Sequence, residues 1–595
     1  MTFILLTAAL VHLPLLLSEL PLRSYDTNFH IFFASHYLHH WFNPWNTKWF
    51  AGFSQTSYPP LPQQWTALLS LIFGLNMAYM LVQFIAILLL AWGVYRFAEI
   101  WVSPRAASFA ALASVLLGSE SFLVYNAGQL GTTAAAPLYL LALPFLYRWL
   151  RFGGWRSFVK AIALFAAAAA AHHATLIFGA MFFALPILAL ALMDRNQEPP
   201  ERASAIAIRA AIITGAVVVT VGIVLLPFWI WLFHYPVTQR PIPHPSRANY
   251  ILSPEWGLNY FVVPYGALIL ALPFIILRGS RTPRLRPLMI GFWVCCVIGL
   301  GGTTPLGVWV LHRAFEVLTF ERFSYWATLL ALPIVGAITA DLISRFRMRA
   351  GVPLALLGAL TCALAVAWST FRPTDDLTFK VDSVAQWLNR DGHDKYRYIT
   401  LGFGNKLSRL SIETDADSVD GESNSSRTLP ELTQYGGAAL TSAKSFGPGG
   451  LASLRAVLHH ARRYGLRWVI VRDPYYDPLL EIAGWKRVDE LDNGGFVIWA
   501  TAGVPPATPM NLSQVPPAWQ GVLWGILPFG SSIVAMLALL FLKDDEAVGA
   551  RPGIEHVTEP VTVAEEEPVF AGDWRRMGLS AAARRLIARR RDRAA

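Results

Sequence analysis

The sequence predicts a polytopic α-helical membrane protein, with about 12 transmembrane helices and one extracytoplasmic α/β domain. Three observations carry that prediction. Of the 595 residues 55% are hydrophobic and only 14% charged, against about 25% charged in an ordinary soluble chain. Apolar runs of about 18 residues, enough to cross a hydrocarbon core, recur from the first residues to position 371. Between 372 and 505 the composition turns polar, and shorter strand and helix periodicities replace the long runs.

Residues 2–20 form the first crossing. They lack the basic n-region and small-residue site of a cleaved leader, and so read as a retained helix. An outer loop, 21–75, follows. Its aromatic cluster (Trp41, Phe42, Trp45, Trp49, Phe50, Phe53) is expected to hold it at the membrane–water interface, where Trp collects. The run 62–102 is twice the length of one crossing. Gly74 and Asn76 divide it into a surface helix, 63–73, and a second crossing, 76–97.

Crossings at 106–118 and 132–150 flank an expected polar turn, SESFLVYNAGQLG. The fifth, 158–171, ends at His172-His173, and the sixth continues to 193. A seventh, 210–233, precedes the Pro-rich loop HYPVTQRPIPHPSRANYILSPEW. The eighth ends at 277, the ninth covers 288–300, and an interrupted apolar stretch, 303–320, belongs to the interface. The tenth and eleventh run 323–342 and 352–369. Residues 1–371 thus form the transmembrane domain.

In the α/β domain, 372–505, we expect a helix at 382–389, strands at 396–401 and 466–471, and an amphipathic helix at 451–464. A strand pair should close around Asp492-Asn493-Gly494-Gly495, and the Ser/Asp-rich stretch 411–427 reads as a mobile loop. A last crossing at 519–542, within 506–543, leads to a tail, 544–595, acidic and then basic. The tail's end reads as an amphipathic helix on anionic lipid or as a disordered positive segment.

Basic residues fix the orientation. With the N-terminus inside, sixteen Arg and Lys fall in cytoplasmic connections of the first eleven crossings and six in outer ones. Both termini are then cytoplasmic, and the 21–75 loop and the α/β domain lie outside. The net charge of +10 is accounted for by this asymmetry, so no nucleic-acid partner is called for. Three cysteines, all in apolar runs, supply neither a disulfide framework nor zinc-ligand spacing.

The candidate functional residues are ionisable groups near the outer boundary. Asp26 and His30 are four apart, so a helix would put them on one face; the plainer reading of Asp26 is a helix N-cap. Glu120, in the second outer loop, could bind a sugar hydroxyl or a divalent ion, or be a solvated loop acid. Gln129 is a candidate hydrogen-bonding partner for a sugar. His172 and His173 sit at a helix end close to lipid, where ionisable groups tend to be functional, although a histidine there often only bonds a carbonyl. Arg240 and Arg322 are candidate phosphate ligands by their planar fork of donors; an ion pair to Glu316 or Glu321 would explain Arg322 equally. Asp26, His30, Glu120 and the His172-His173 pair could hold a divalent metal, but no spacing requires one and the ligand set is unknown.

The pattern of Asp and His after the first crossing, then Trp/Gly/Phe and Tyr58-Pro59-Pro60-Leu61, resembles bacterial membrane proteins labelled 6-pyruvoyl-tetrahydropterin-synthase-related. Nothing in the chain suggests pterin chemistry. Those proteins are similar to the GT-C superfamily of integral-membrane glycosyltransferases, whose catalytic acid lies in the first outer loop. The resemblance covers the first half of the chain best. It implies a GT-C-like fold in a bacterial plasma membrane, a polyprenyl-phosphate sugar donor and a glycan or glycolipid acceptor; the residues themselves require no cofactor, a divalent metal being the one they could take. It also implies that Asp26 takes the acceptor proton as general base, with inversion at the anomeric carbon. Two other classes compete: a transporter or flippase of lipid-linked sugars, and a non-catalytic cell-envelope assembly protein. The first should carry paired repeats and helices broken near the midplane, and no such repeat is visible.

Overall fold

A computed structural model describes residues 1–235, 243–372, 380–423, 426, 427, 429–435, 437 and 439–544. The chain divides into Met1–Glu546 and Ala547–Ala595. The basic segment of the tail lies outside the described residues, as does Arg240.

All twelve expected crossings are helices. Eight are long and apolar enough to cross a membrane, and the pair Pro254–Tyr265 and Leu268–Arg281, bent by 61°, makes a ninth if counted as one span. The other three, Thr2–Leu17, Trp155–Ala171 and Arg286–Ile298, are shorter, at 16, 17 and 13 residues. Burial grades from hub to rim. The Leu130–Phe152 helix is buried over 89% of its apolar window, against 11% for Met348–Phe371, whose apolar side chains are left for lipid.

Three expectations fail here for physical reasons. The expected polar turn after the third crossing is helix: Gly118–Phe122 and a π turn, Leu123–Ala127, extend that span to Pro104–Ala127. Its two serines find partners inside the bundle, Ser119 with Thr328 (2.7 Å) and Ser121 with Cys362 (3.6 Å). Glu120 is accordingly a buried residue of a span and not an acid on a solvated loop.

Half of the loop aromatics are the second correction, while Trp41 and Trp45 stay half-buried and Phe42 exposed. Trp49, Phe50 and Phe53 are fully buried and pack with Ile399, Leu401, Val419 and Val469 of the C-terminal α/β region. Burying such rings against a second apolar surface removes more of them from water than an interfacial position would. The region they meet contains a four-stranded sheet: β1 Arg397–Leu401, β2 Leu466–Val471, β3 Lys486–Leu491 and β4 Phe496–Ala500. The strand order is β1-β2-β4-β3, with β1 and β2 parallel and the other pairs antiparallel. The connection between paired Leu491 and Phe496 is four residues long, and Asp492, Asn493 and Gly494 all have positive φ, which Asp, Asn and Gly tolerate in turns.

The stretch read as mobile is also ordered over its described part. The Lys406–Glu413 helix occupies its start. Beyond that, Ser418 N–H donates to the Lys48 carbonyl (2.9 Å) and Ala51 N–H to the Ser418 carbonyl (3.1 Å). Gly421 lies so close to Trp49 and Phe50 that a Cβ would fall 2.7–2.9 Å from their rings. Loop 21–75 and the α/β region therefore share one core. The last helix, Ala518–Phe541, clamps the loop from the membrane side, where Trp524 Nε1 donates to Tyr37 Oη (2.8 Å) and Trp41 Nε1 to the Gly525 carbonyl (3.0 Å).

Candidate active site

The site forms where the 21–75 loop meets the ends of the Pro104–Ala127, Leu130–Phe152 and Glu321–Phe346 helices. Tyr25 N–H donates to the Asn126 carbonyl (3.1 Å) and Asp26 N–H to the Ala127 carbonyl (2.9 Å). The loop can come this close because Gly128 has φ +69° and no Cβ; a Cβ there would lie 2.3 Å from Ser24 Oγ and 2.7 Å from Thr27 N. The backbone of Asp26 is thus pinned to the bundle and starts the Thr27–His40 helix.

Asp26 occupies the N-cap position, yet its side chain makes no cap hydrogen bond. Among the described residues no ion pair involves it either, so the plainer N-cap reading does not describe its carboxylate. Protein encloses the group while part of its surface stays open. Burial pushes its pKa from 3.8 up to about 7, with Arg322 pulling down and Glu321 pushing up. A carboxylate in that range can accept a proton near neutral pH.

His30, one turn on, is buried, and burial followed by Arg322 lowers its pKa to about 3, so the ring is neutral. Its Nδ1 lies 2.8 Å from the Gln63 amide. With Gln63 Oε1 accepting from His30 Nδ1–H, Gln63 Nε2 can donate to the Pro60 and Pro59 carbonyls at 3.1 and 3.3 Å. The Tyr-Pro-Pro segment thereby sets the tautomer and leaves a lone pair on His30 Nε2. Tyr58 stands between His30 and His172, with ring centroids 6.0 and 6.5 Å away. His172 lies where extended backbone breaks the helix, and its Nδ1 pairs with Thr175 Oγ1 (2.8 Å). His173 packs on Phe228 instead (4.8 Å).

Arg322 is the positive centre of the group. Its guanidinium acts electrostatically on Asp26, His30, Tyr58, His172 and His173. Among the described residues it makes no ion pair; Nε donates to Gln129 Oε1 (2.9 Å), and Gln129 Nε2 donates to Glu321 Oε1 (2.6 Å). Gln129 is therefore committed to protein partners at both ends of its amide. Arg247, in the Pro-rich loop, donates to the Glu316 carbonyl.

The structure brings together Asp26, His30, His172 and Arg322 among the residues singled out from sequence, with His173 at the edge. Glu120 is not brought to them: it is buried deeper, beside Tyr325. Among the described residues no group of three or more His, Cys, Asp or Glu is arranged to hold a metal. Sequence reasoning missed Tyr58, Gln63 and Glu321 as parts of the site. The signals were the Tyr-Pro-Pro-Leu-Pro-Gln run and the adjacency of Glu321 to Arg322.

No family model matches the sequence, and no curated protein is similar to it in sequence. Solved structures do match in fold. The aminoacid chain aligns with ArnT from Cupriavidus metallidurans in the apo state at TM-score 0.52 and 12% identity, covering 87% of this chain and 99% of that one. The same protein bound to undecaprenyl phosphate aligns at 0.49 and 14%, covering 85% and 99%. A mutant form of arabinofuranosyltransferase AftD from Mycobacteria aligns at 0.50 and 16%, covering 84% of this chain but 41% of AftD. The chain spans about two-fifths of AftD's length. The likeness is one of fold: the helical arrangement is similar to that of ArnT, and a four-stranded sheet region lies towards the C-terminus.

Proposed function

We propose that the protein is a GT-C-type glycosyltransferase, moving a sugar from a polyprenyl-phosphate donor to an extracytoplasmic glycan or glycolipid. The observation that carries this reading is the Asp26 carboxylate: partly open, held near pKa 7, and, among the described residues, unpaired and acted on by a guanidinium with no carboxylate partner of its own. The GT-C fold supports it at the level of architecture.

The chemistry divides between the two charges. Arg322 holds the donor phosphate, and polyprenyl phosphate leaves as a stable anion, so no general acid is needed. The acceptor oxygen bonds to the anomeric carbon as the carbon–oxygen bond to phosphate breaks, and Asp26 takes the acceptor proton. Displacement from the face opposite the phosphate inverts the anomeric centre. His30, neutral and with an Nε2 lone pair, accepts a hydrogen bond from a sugar hydroxyl, and His172 and Tyr58 line the same wall. Holding both substrates in line supplies a large share of the rate.

The reading is tested with purified protein in proteoliposomes, given a polyprenyl-phosphate-linked sugar and an envelope glycolipid fraction. The expected result is release of free polyprenyl phosphate together with glycosylated acceptor. Movement of intact donor across the bilayer without bond cleavage would replace the enzyme by a transporter.

A further inference from the structure

Glu321 has no role in the chemistry above, yet it is the most deeply committed acid beside it. It is 4% exposed at the start of the Glu321–Phe346 helix. One oxygen, Oε1, accepts from Gln129 Nε2 at 2.6 Å. Among the described residues the other, Oε2, is buried with no hydrogen bond of ordinary geometry, although Thr319 and the residue's own N–H lie beside the carboxylate and His244, like Arg322, acts on it electrostatically. Desolvating a carboxylate is costly, and such a group persists where its charge is used. The adjacent Arg322 does not neutralise it directly, since no ion pair joins them among the described residues. Gln129 stands between, bonded to the acid through its N–H and to Arg322 Nε through its oxygen (2.9 Å). Thr132 Oγ1 donates to the same oxygen (3.3 Å), fixing which way the amide points.

We propose that Glu321 and Gln129 are positioning residues that aim Arg322 at the donor phosphate. A direct Arg–carboxylate fork would occupy two of the guanidinium's donors and cancel much of its field. The interposed amide occupies only Nε. Both Nη groups stay available for a phosphate, and the acid's charge polarises the chain of hydrogen bonds without closing on the cation. Gln129 reaches this place because it follows the Gly128 turn that also anchors Asp26. One turn of backbone therefore sets the base and the phosphate ligand together. The ligand class is a phosphate monoester or diester on a polyprenyl chain, and the inference rests on the proposed function.

The test is binding of undecaprenyl phosphate to the purified full chain in detergent, with phosphate-free undecaprenol as control. Glu321→Gln and Gln129→Met should each weaken undecaprenyl phosphate binding by about tenfold while leaving undecaprenol binding and the melting midpoint unchanged. In an Arg322→Lys background the same two changes should have less than a threefold further effect, because they act through the guanidinium. Full additivity with Arg322→Lys, or wild-type affinity in both single variants, overturns the positioning role while leaving the donor assignment standing. Failure of the wild-type chain to prefer the phosphate over undecaprenol would remove the donor assignment itself, and the positioning role with it.

Discussion

At the scale of single residues, the account turns on a carboxyl group whose pKa is raised by burial more than Arg322 lowers it. As a base it must be ionised, so kcat/KM should rise with pH through an apparent pKa near 7 and level off above it. A donor phosphate beside Arg322 offsets the cation's pull, so the corresponding limb in kcat should lie at higher pH. Initial rates from pH 5 to 9 check both. Stability should move the other way. The folded pKa lies above the ordinary 3.8, so the folded protein binds this proton more tightly, and the group's contribution falls as pH climbs from about 4 to about 7. Asp26→Asn should therefore gain melting temperature relative to wild type between pH 5 and pH 8, by roughly 2 °C or more. Scanning calorimetry at the two pH values decides it; an unchanged gap would mean that the carboxyl is not buried as described.

Asp26 and His30 were legible in sequence because four-residue spacing after a crossing is a local signal. Gln129 was legible as a polar residue near the site but not as a strut, since its partners, Glu321 and Arg322, are nearly two hundred residues away. Glu120 misled because a carboxylate among serines looks like loop. Only the pairing of those serines inside the bundle places it in a span.

At the scale of elements, apolar length located the helices well and polar composition located the gaps less well. The aromatics of the 41–53 segment have the composition of an interfacial belt, and nothing local distinguishes that from one half of a core whose other half lies past residue 397. Trp49 is completed by Phe32 stacked at 4.0 Å and by a hydrogen bond to Ser411 Oγ (2.8 Å). Trp49→Ala should cost about 3–5 kcal/mol and detach the loop from the sheet region, lowering transfer although Trp49 lies in the shared core and not in the candidate site. Gly421→Val should do the same by forcing a side chain into the Trp49 and Phe50 rings. Limited proteolysis within the 41–57 segment reports the detachment; protection equal to wild type would contradict the shared core.

For the whole molecule, charge asymmetry and apolar length yield one prediction about orientation. The loop and the sheet region should face outward, and the turn at Arg347 with the helix ends that flank it inward. The three native cysteines are buried, so they add little background to thiol labelling. A cysteine placed at exposed Phe42 should react with a membrane-impermeant maleimide on intact cells, and one at Arg345 only after the membrane is opened. The reverse pattern would put the candidate site in the cytosol, away from any extracytoplasmic acceptor.

The central claim is that the Asp26 carboxylate is the base of a glycosyl transfer, and single-turnover transfer by Asp26→Asn measures it most directly. Asparagine keeps the shape of the side chain and removes its ability to take a proton. Transfer should fall by about a thousandfold while undecaprenyl phosphate binding stays within about threefold of wild type. A variant that transfers sugar within tenfold of the wild-type rate would contradict the account.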